Sequence, residues 1–530
     1  MLGYRFPTNH WLLAGQVLAL AICSLRVSAD IIHVPADFPT IQAAIDAATD
    51  GDEVVIAPDT YTGSQNRDLD FTGKAITVRS TDPNDPDVVA ATIIDCQQAG
   101  RGFIFQSEET LESVVDGLTV VNGFATDGAG VYLVNGSSAT IKNCVFTGNT
   151  VPISSGVFFS DNAPTQRADL VIINCTISDN LGGGFAAFAI ENLTVTGSII
   201  SGNSGTAIDT GFPFSPFPNL IVRNSTIVDN DGGGITTNQA TTIELANCTV
   251  ADNGGTGVVA FEVASGSGVM ITNCTITGNT SDEGTGGLRC EASTSAVIRN
   301  CLISNNTGRV GGGLDISGFA AFEITGCTFA GNVSTEFGGG GIRTSGTDPV
   351  AIRNCILWGN AAPEGPQLLL DSGFNDPSVV SVDFSTVEGG EKGVFVDEAC
   401  CSPSHLIWGV GNIDVDPQFV DPENADKIYF LSVRFSVSVD GGRSLVPNPP
   451  RGGGDTHDIW IDPTNPKRIM VGDDVGNTNV SLDGQSFRNH RLPVAQMYHV
   501  AVDDDVPYNV YGNRQDGYSY RGPSNSRAGS

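Results

Sequence analysis

One position recurs along this chain of 530 residues like the rung of a ladder. Cysteine occupies it at Cys144, Cys175, Cys248, Cys274, Cys301, Cys327 and Cys355, and serine takes it at Ser198 and Ser225. Two residues after the rung an apolar side chain always follows, from Phe146 to Leu357. Five residues after it comes asparagine: Asn149, Asn180, Asn203, Asn230, Asn253, Asn279, Asn306, Asn332 and Asn360. Three residues before it stands Ile, Val or Leu, from Ile141 to Ile352. The rungs lie 23–31 residues apart. Self-similarity with a period of about 20–50 residues marks a repeat architecture, whose units bury their apolar faces only by stacking.

The offsets within a repeat dictate its shape. Positions −5 and −3 alternate, and so do 0 and +2, which is the period of a strand buried on one face. The step from −3 to 0 is odd, so a bend separates two short strands. The residue before each ladder asparagine is Gly, Asp or Asn, as at Gly148, Asp179 and Asn305. These residues tolerate positive φ, so this column is a turn. Glycine tracts at Gly182–Gly184, Gly232–Gly234, Gly311–Gly313 and Gly338–Gly341 lead into apolar residues that open the next strand. Short strands, tight corners and no helical stretch predict an all-β chain, a parallel β-helix with one coil per repeat. Nine coils at the strand spacing stand about 40 Å tall. The asparagine column is expected to form an amide ladder along the axis.

Two states are open to the rung cysteines. A buried free thiol is a small hydrophobe, and serine matches it in size. A disulfide framework is the alternative for a secreted chain. A bonded pair would not recur along one column while skipping Ser198 and Ser225, so thiols are expected. Cys400 and Cys401 lie off the ladder, where a vicinal disulfide is conceivable.

The ends differ from the middle. Arg5, the apolar run Trp11 to Leu25, and Val27-Ser28-Ala29 read as a signal peptide over 1–29, which sends the chain to the outside of the cell or its surface. That run is too short to span a bilayer. In Thr40 to Ala48, the residues Ile41, Ala44, Ile45 and Ala48 share one helical face, with Thr40 placed to cap it. Such a helix would close the open end of a solenoid. Val54-Val55-Ile56 is then expected to begin the first coil. The net charge is −33, and losing 1–29 with Arg5 and Arg26 leaves the chain two units more acidic. This charge argues against nucleic acid and anionic membranes as partners. Sequons such as Asn174-Cys175-Thr176 arise from the ladder itself.

The stretch Val34 to Tyr61, with Thr40-Ile41-Gln42-Ala43-Ala44-Ile45, resembles the N-terminal cap of pectinesterase-type, right-handed parallel β-helix proteins, the pectin lyase-like fold. The glycine tracts with Phe146-x-x-Asn149 and Phe329-x-x-Asn332 are similar to the repeats of polymorphic outer-membrane proteins. These resemblances imply a right-handed β-helix over 30–420 and leave its function open, because enzymes and adhesins share the fold. Beyond 421 the period changes. Asp421-Pro422-Glu423-Asn424 recurs as Asp462-Pro463-Thr464-Asn465, and Ser438-Val439-Asp440-Gly441 recurs as Ser481-Leu482-Asp483-Gly484. A repeat of about 40 residues belongs to a propeller blade. This segment, 421–530, resembles part of a sortilin-like or xyloglucanase-type Asp-box propeller, too short to close on itself.

No catalytic constellation emerges from the sequence, and no catalytic, cofactor or metal residues are assigned. Asp179, Asp229 and Asp252 share the turn column, where weak Ca²⁺ binding competes with a plain turn role. Lys142, Arg223, Arg299 and Arg353 share position −2, facing outward, either as lyase-type bases or as solvated charges. Nothing imidazole-based is available between His33 and His405. In the tail, the pairs His457-Asp458 and Asp473-Asp474 match no metal or nucleophile pattern. The expected function is a secreted or surface β-helix that binds polysaccharide or another extracellular surface without catalysis. The competing class is a polysaccharide lyase or glycoside hydrolase, which an outward cluster of acids and arginine in a cleft would favour.

Overall fold

The computed structural model describes residues 29–417 apart from segments 153–155, 162–167, 189, 211–218, 239–241, 264–267, 293–294, 319–320, 347–348, 373–376 and 398–403. Beyond 417 it describes the strands lying between 428 and 523 and residue 468 beside them. The chain winds as an all-β parallel solenoid with three long sheets of 15, 13 and 13 strands. In chain order within a coil they are sheet 1 (as Ala139–Lys142), sheet 2 (Val145–Thr147) and sheet 3 (Gly156–Asp161). Every strand of these sheets pairs in parallel with the equivalent strand one coil away, in matched register such as Ile141↔Ile172 and Phe146↔Ile177. The stack is about 65 Å tall at the strand spacing. It is taller than nine rungs because coils before Cys144 and after Cys355 lack the full motif.

Both corner columns have a physical cause. The bend between sheets 1 and 2 is one residue in the left-handed region: Asn143, Asn174, Gly197, Asn224, Asn247, Asn273, Asn300, Gly326 and Asn354. The turn after sheet 2 is left-handed at all nine expected positions, from Gly148 to Gly359. Asparagine and aspartate reach this conformation at least cost after glycine. The sequons are thus the outer bend seen in sequence.

The amide ladder forms. Each asparagine from Asn149 to Asn332 donates its backbone N–H and its Nδ2 to the Oδ1 of the asparagine one coil on, at 2.8–3.2 Å. The second Nδ2 hydrogen goes to a carbonyl of the preceding coil, as in Asn279 to Val250 O at 3.0 Å. Gln367 closes the column by accepting from Asn360 Nδ2 at 2.7 Å. The rung cysteines are free, buried thiols. Each donates to the carbonyl two residues back, as Cys274 does to Thr272 O at 3.2 Å. Ser198 and Ser225 make the same bond at 3.0 and 2.9 Å. Cys400 and Cys401 lie outside the described residues.

The N-terminal end corrects two expectations. The helix Ile41–Ala47 buries Ile41, Ala44 and Ile45. Thr40 sits at its cap position, yet its side chain makes no cap bond; Asn66 Oδ1 accepts the Ile41 N–H instead, at 2.8 Å. The solenoid also begins earlier than Val54. Ile31–Val34 already pairs in parallel with Glu53–Ile56, so the helix is inserted between the first two strands of sheet 1. Polar-flanked and only four residues long, that first strand gives no periodic signal.

The tail strands pair antiparallel, in sheets of three, four and three strands. The four-stranded sheet runs in chain order through Thr456–Ile461, Ile469–Asp473, Asn477–Ser481 and Phe487–Arg491. Most of both Ser-x-Asp-Gly stretches lies outside the described residues, as do Asp474 and residues 1–28 of the expected signal peptide 1–29. No helix among the described residues is long and apolar enough to cross a membrane.

Candidate functional site

The residues singled out from sequence do not converge. Asp179, Asp229 and Asp252 are exposed left-handed turn residues. Among the described residues, no group of three or more His, Cys, Asp or Glu side chains is arranged to hold a metal. The outward cations of sheet 1 each meet a carboxylate in a neighbouring coil. Lys142 pairs with Asp116 at 2.9 Å, Arg223 with Glu244 at 2.8 Å, Arg299 with Glu323 at 3.0 Å and Arg353 with Asp383 at 3.8 Å. Asp116 is buried, but the Arg223, Arg299 and Arg353 pairs lie at the surface and stabilise little individually. His33 and His405 sit exposed in the first and last strands of sheet 1. The side chains of His457, Asp458 and Asp473 lie outside what is described.

Sheet 3 assembles a cluster that no sequence motif announced. On its outer face Arg289, Asp315 and Arg343 stand in register on three successive strands. Glu291 lies two residues beyond Arg289, and Asp371 pairs in register with Ser345 one coil past Arg343. Arg343 Nη1 donates to Asp315 Oδ1 at 2.9 Å, and its Nη2 donates to Asp371 Oδ2. Arg289 Nη2 donates to Glu291 Oε2 at 2.7 Å. The column is legible only once the coils are aligned, because its members fall 26 and 28 residues apart among glycine-rich turns.

Turns fold down over this column. Gly311 and Gly339 adopt φ of +67° and +69°, and a Cβ at Gly339 would lie 2.5 Å from Arg343 Cβ. The glycines therefore let the backbone lie directly on the charged side chains. Beneath it the Asp315 side chain is only 6% exposed and that of Arg343 16%. Burial pushes the Asp315 carboxyl above its ordinary range, against the pull of the Arg343 guanidinium. Burial also opposes the charge of Arg343, but the two aspartates outweigh it and raise its proton affinity. Arg343 Nε is buried without a hydrogen-bond partner. An orphaned buried donor is costly.

Farther along the same face, Tyr132 and Phe159 stack with ring centroids 5.9 Å apart, and the Arg101 guanidinium lies 4.7 Å from the Tyr132 ring. The outer face of sheet 3 thus carries an aromatic end and a charged end along one column.

Comparison with known proteins concerns the fold. The family model described as a right handed beta helix region matches residues 112–264 and 260–404. No curated protein matches the chain. Among solved structures, the catalytic domain of a GH87 alpha-1,3-glucanase aligns over 72% of this chain and 69% of its own, at 12% identity and a TM-score of 0.40. The receptor-binding protein of bacteriophage Det7, a podoviral tailspike in a myovirus, aligns over 94% and 98%, at 11% identity and 0.35. The mannuronan C-5 epimerase AlgE4 A-module of Azotobacter vinelandii aligns over 71% and 95%, at 13% and 0.35. The likeness to these proteins is one of fold alone.

Proposed function

We propose that this chain, which belongs to the right-handed β-helix family, binds a polysaccharide strand across the outer face of sheet 3, between Arg289 and Asp371. The observation that carries the reading is the partly exposed set Arg289, Glu291 and Asp371, with Arg343 between them held in place by the buried Asp315. Carboxylates accept from sugar hydroxyls and guanidinium N–H groups donate to them. Groups already fixed by one another lose little entropy when they bind. The proposed setting is outside the cell or on its surface, supported by the apolar run Trp11 to Leu25. A propeller-like role for the tail rests on its four-stranded antiparallel sheet.

A second reading, catalysis at the same place, is favoured by one observation. Asp315 is held above the ordinary carboxylate range, and the partly exposed Asp371 shares its arginine. Acid–base cleavage of glycosidic bonds uses two carboxyl groups whose proton affinities are pushed apart. One experiment serves both readings. The purified protein is incubated with a panel of neutral and acidic polysaccharides; co-sedimentation reports binding, and new reducing ends or unsaturated products report cleavage. Binding that Arg343→Lys weakens, without products, is the expected result. Products that Asp315→Asn abolishes would install the catalytic reading. No binding and no products across the panel would end both.

A further inference from the structure

We infer that Phe337 is a stacking platform for a neutral sugar ring, at the rim of the face to which the proposed polysaccharide binding assigns the ligand; the inference rests on that reading. The ring is 51% exposed, in a loop whose backbone is tightly held. The N–H groups of Glu336 and Phe337 both donate to Arg309 O at 3.2 Å, and that of Thr335 donates to Gly308 O at 2.9 Å. The strand pieces on which these loops stand, Thr280–Ser281, Thr307–Gly308 and Val333–Ser334, form a small parallel sheet of their own, a wall beside sheet 3.

The side chain is held as well. The Arg309 guanidinium lies 5.1 Å from the Phe337 ring centroid, and Arg309 Nε donates to Glu336 Oε2 at 2.7 Å. A single exposed phenylalanine needs no explanation. One whose backbone is pinned and whose ring is steadied by an anchored cation has already lost the freedom that a ligand would otherwise have to remove. Its position links it to the cluster. The residues that follow, Gly338 and Gly339, would place a Cβ 2.8 Å from Leu369 Cδ2 and 2.5 Å from Arg343 Cβ. The ring therefore stands one and two residues from backbone lying on the charged column.

The chemistry of the ligand follows from the surroundings. A pyranose offers an apolar C–H face to an aromatic ring and hydroxyls at its rim to carboxylates and guanidinium groups. The chain carries a net charge of −33, and beside the ring the Arg309 cation is already neutralised by Glu336. A polyanionic glycan is repelled here, so the sugar is neutral.

Affinity gel electrophoresis of the full chain tests this, with glucomannan and mixed-linkage β-glucan as neutral probes and alginate and polygalacturonate as acidic ones. Neutral gels are expected to retard the wild type. Phe337→Ala should raise the dissociation constant about tenfold, and Phe337→Trp should keep it within about threefold of wild type. An unchanged urea midpoint shows that the variants are folded. Wild-type retardation that Phe337→Ala leaves intact overturns the platform while polysaccharide binding stands. Retardation only by the acidic gels overturns the neutral class. A wild type retarded by none of the four removes the binding reading and the platform with it.

Discussion

Ser198 and Ser225 take the place of cysteine in the rung because that position asks for two things, a small volume and a donor to the carbonyl two residues back. Size alone suggested the exchange in the sequence; the shared donor role became visible only in the structure. Ser385 extends the column by the same bond, to Asp383 O at 2.9 Å. It escaped the pattern because Gly390 stands where the ladder asparagine would be. Thiols elsewhere in the core have a titration consequence. Burial pushes the Cys96 and Cys290 thiols well above their ordinary value, up to about 12. Their proton is held more tightly in the folded chain than in the unfolded one. The stability they contribute is complete below about pH 9 and is lost as pH rises toward 12. By about pH 10.5 each should cost about 2 kcal/mol of unfolding free energy. Urea midpoints measured between about pH 8 and 10.5 check this. Cys290→Ala should flatten part of the fall; an identical fall in that variant would refute the assignment.

At the scale of the element, the cap helix shows which signals a sequence carries. Its buried stripe Ile41, Ala44, Ile45 and Ala48 was legible from spacing, because burial follows the helical period. Its capping partner was not, because Asn66 is 25 residues away from Ile41. Thr40→Ala should change stability by under about 0.5 kcal/mol, whereas Asn66→Ala should cost about 1–2 kcal/mol, leaving the Ile41 N–H buried and unpaired. Thermal or urea unfolding of the two variants decides between local and distant capping, and the opposite ranking would restore Thr40. The cluster on sheet 3 was hidden for the same reason. Arg289, Asp315 and Arg343 have no mutual spacing that a strand or helix period predicts; the coil length alone makes them neighbours. The nine left-handed turns from Gly148 to Gly359, by contrast, were legible because they sit at a fixed offset from a repeated asparagine.

At the scale of the molecule, the three long sheets end at Val394–Val396, His405–Trp408 and Thr386–Val387, and the sheets beyond pair antiparallel. Each coil needs only its neighbours, so residues 30–420 should fold without the tail. Limited proteolysis followed by mass spectrometry is expected to leave a stable fragment ending near 420, with the far-UV spectrum of the intact solenoid. Loss of the solenoid spectrum on cutting there would show that tail and stack fold as one unit.

The amide ladder has a consequence for how such a chain can change in length. Every ladder asparagine presents the same donor and acceptor up and down the axis, so a coil is exchangeable with its neighbours. Excising Ile199–Ser225 would bring Ser198 beside Thr226 and set Asn180 against Asn230, with both corners intact. The gain or loss of one whole period leaves a working seam, whereas a gap of a few residues breaks every column at once. A chain of this kind grows and shrinks in whole storeys, and the face available to a ligand is lengthened or shortened in the same increments.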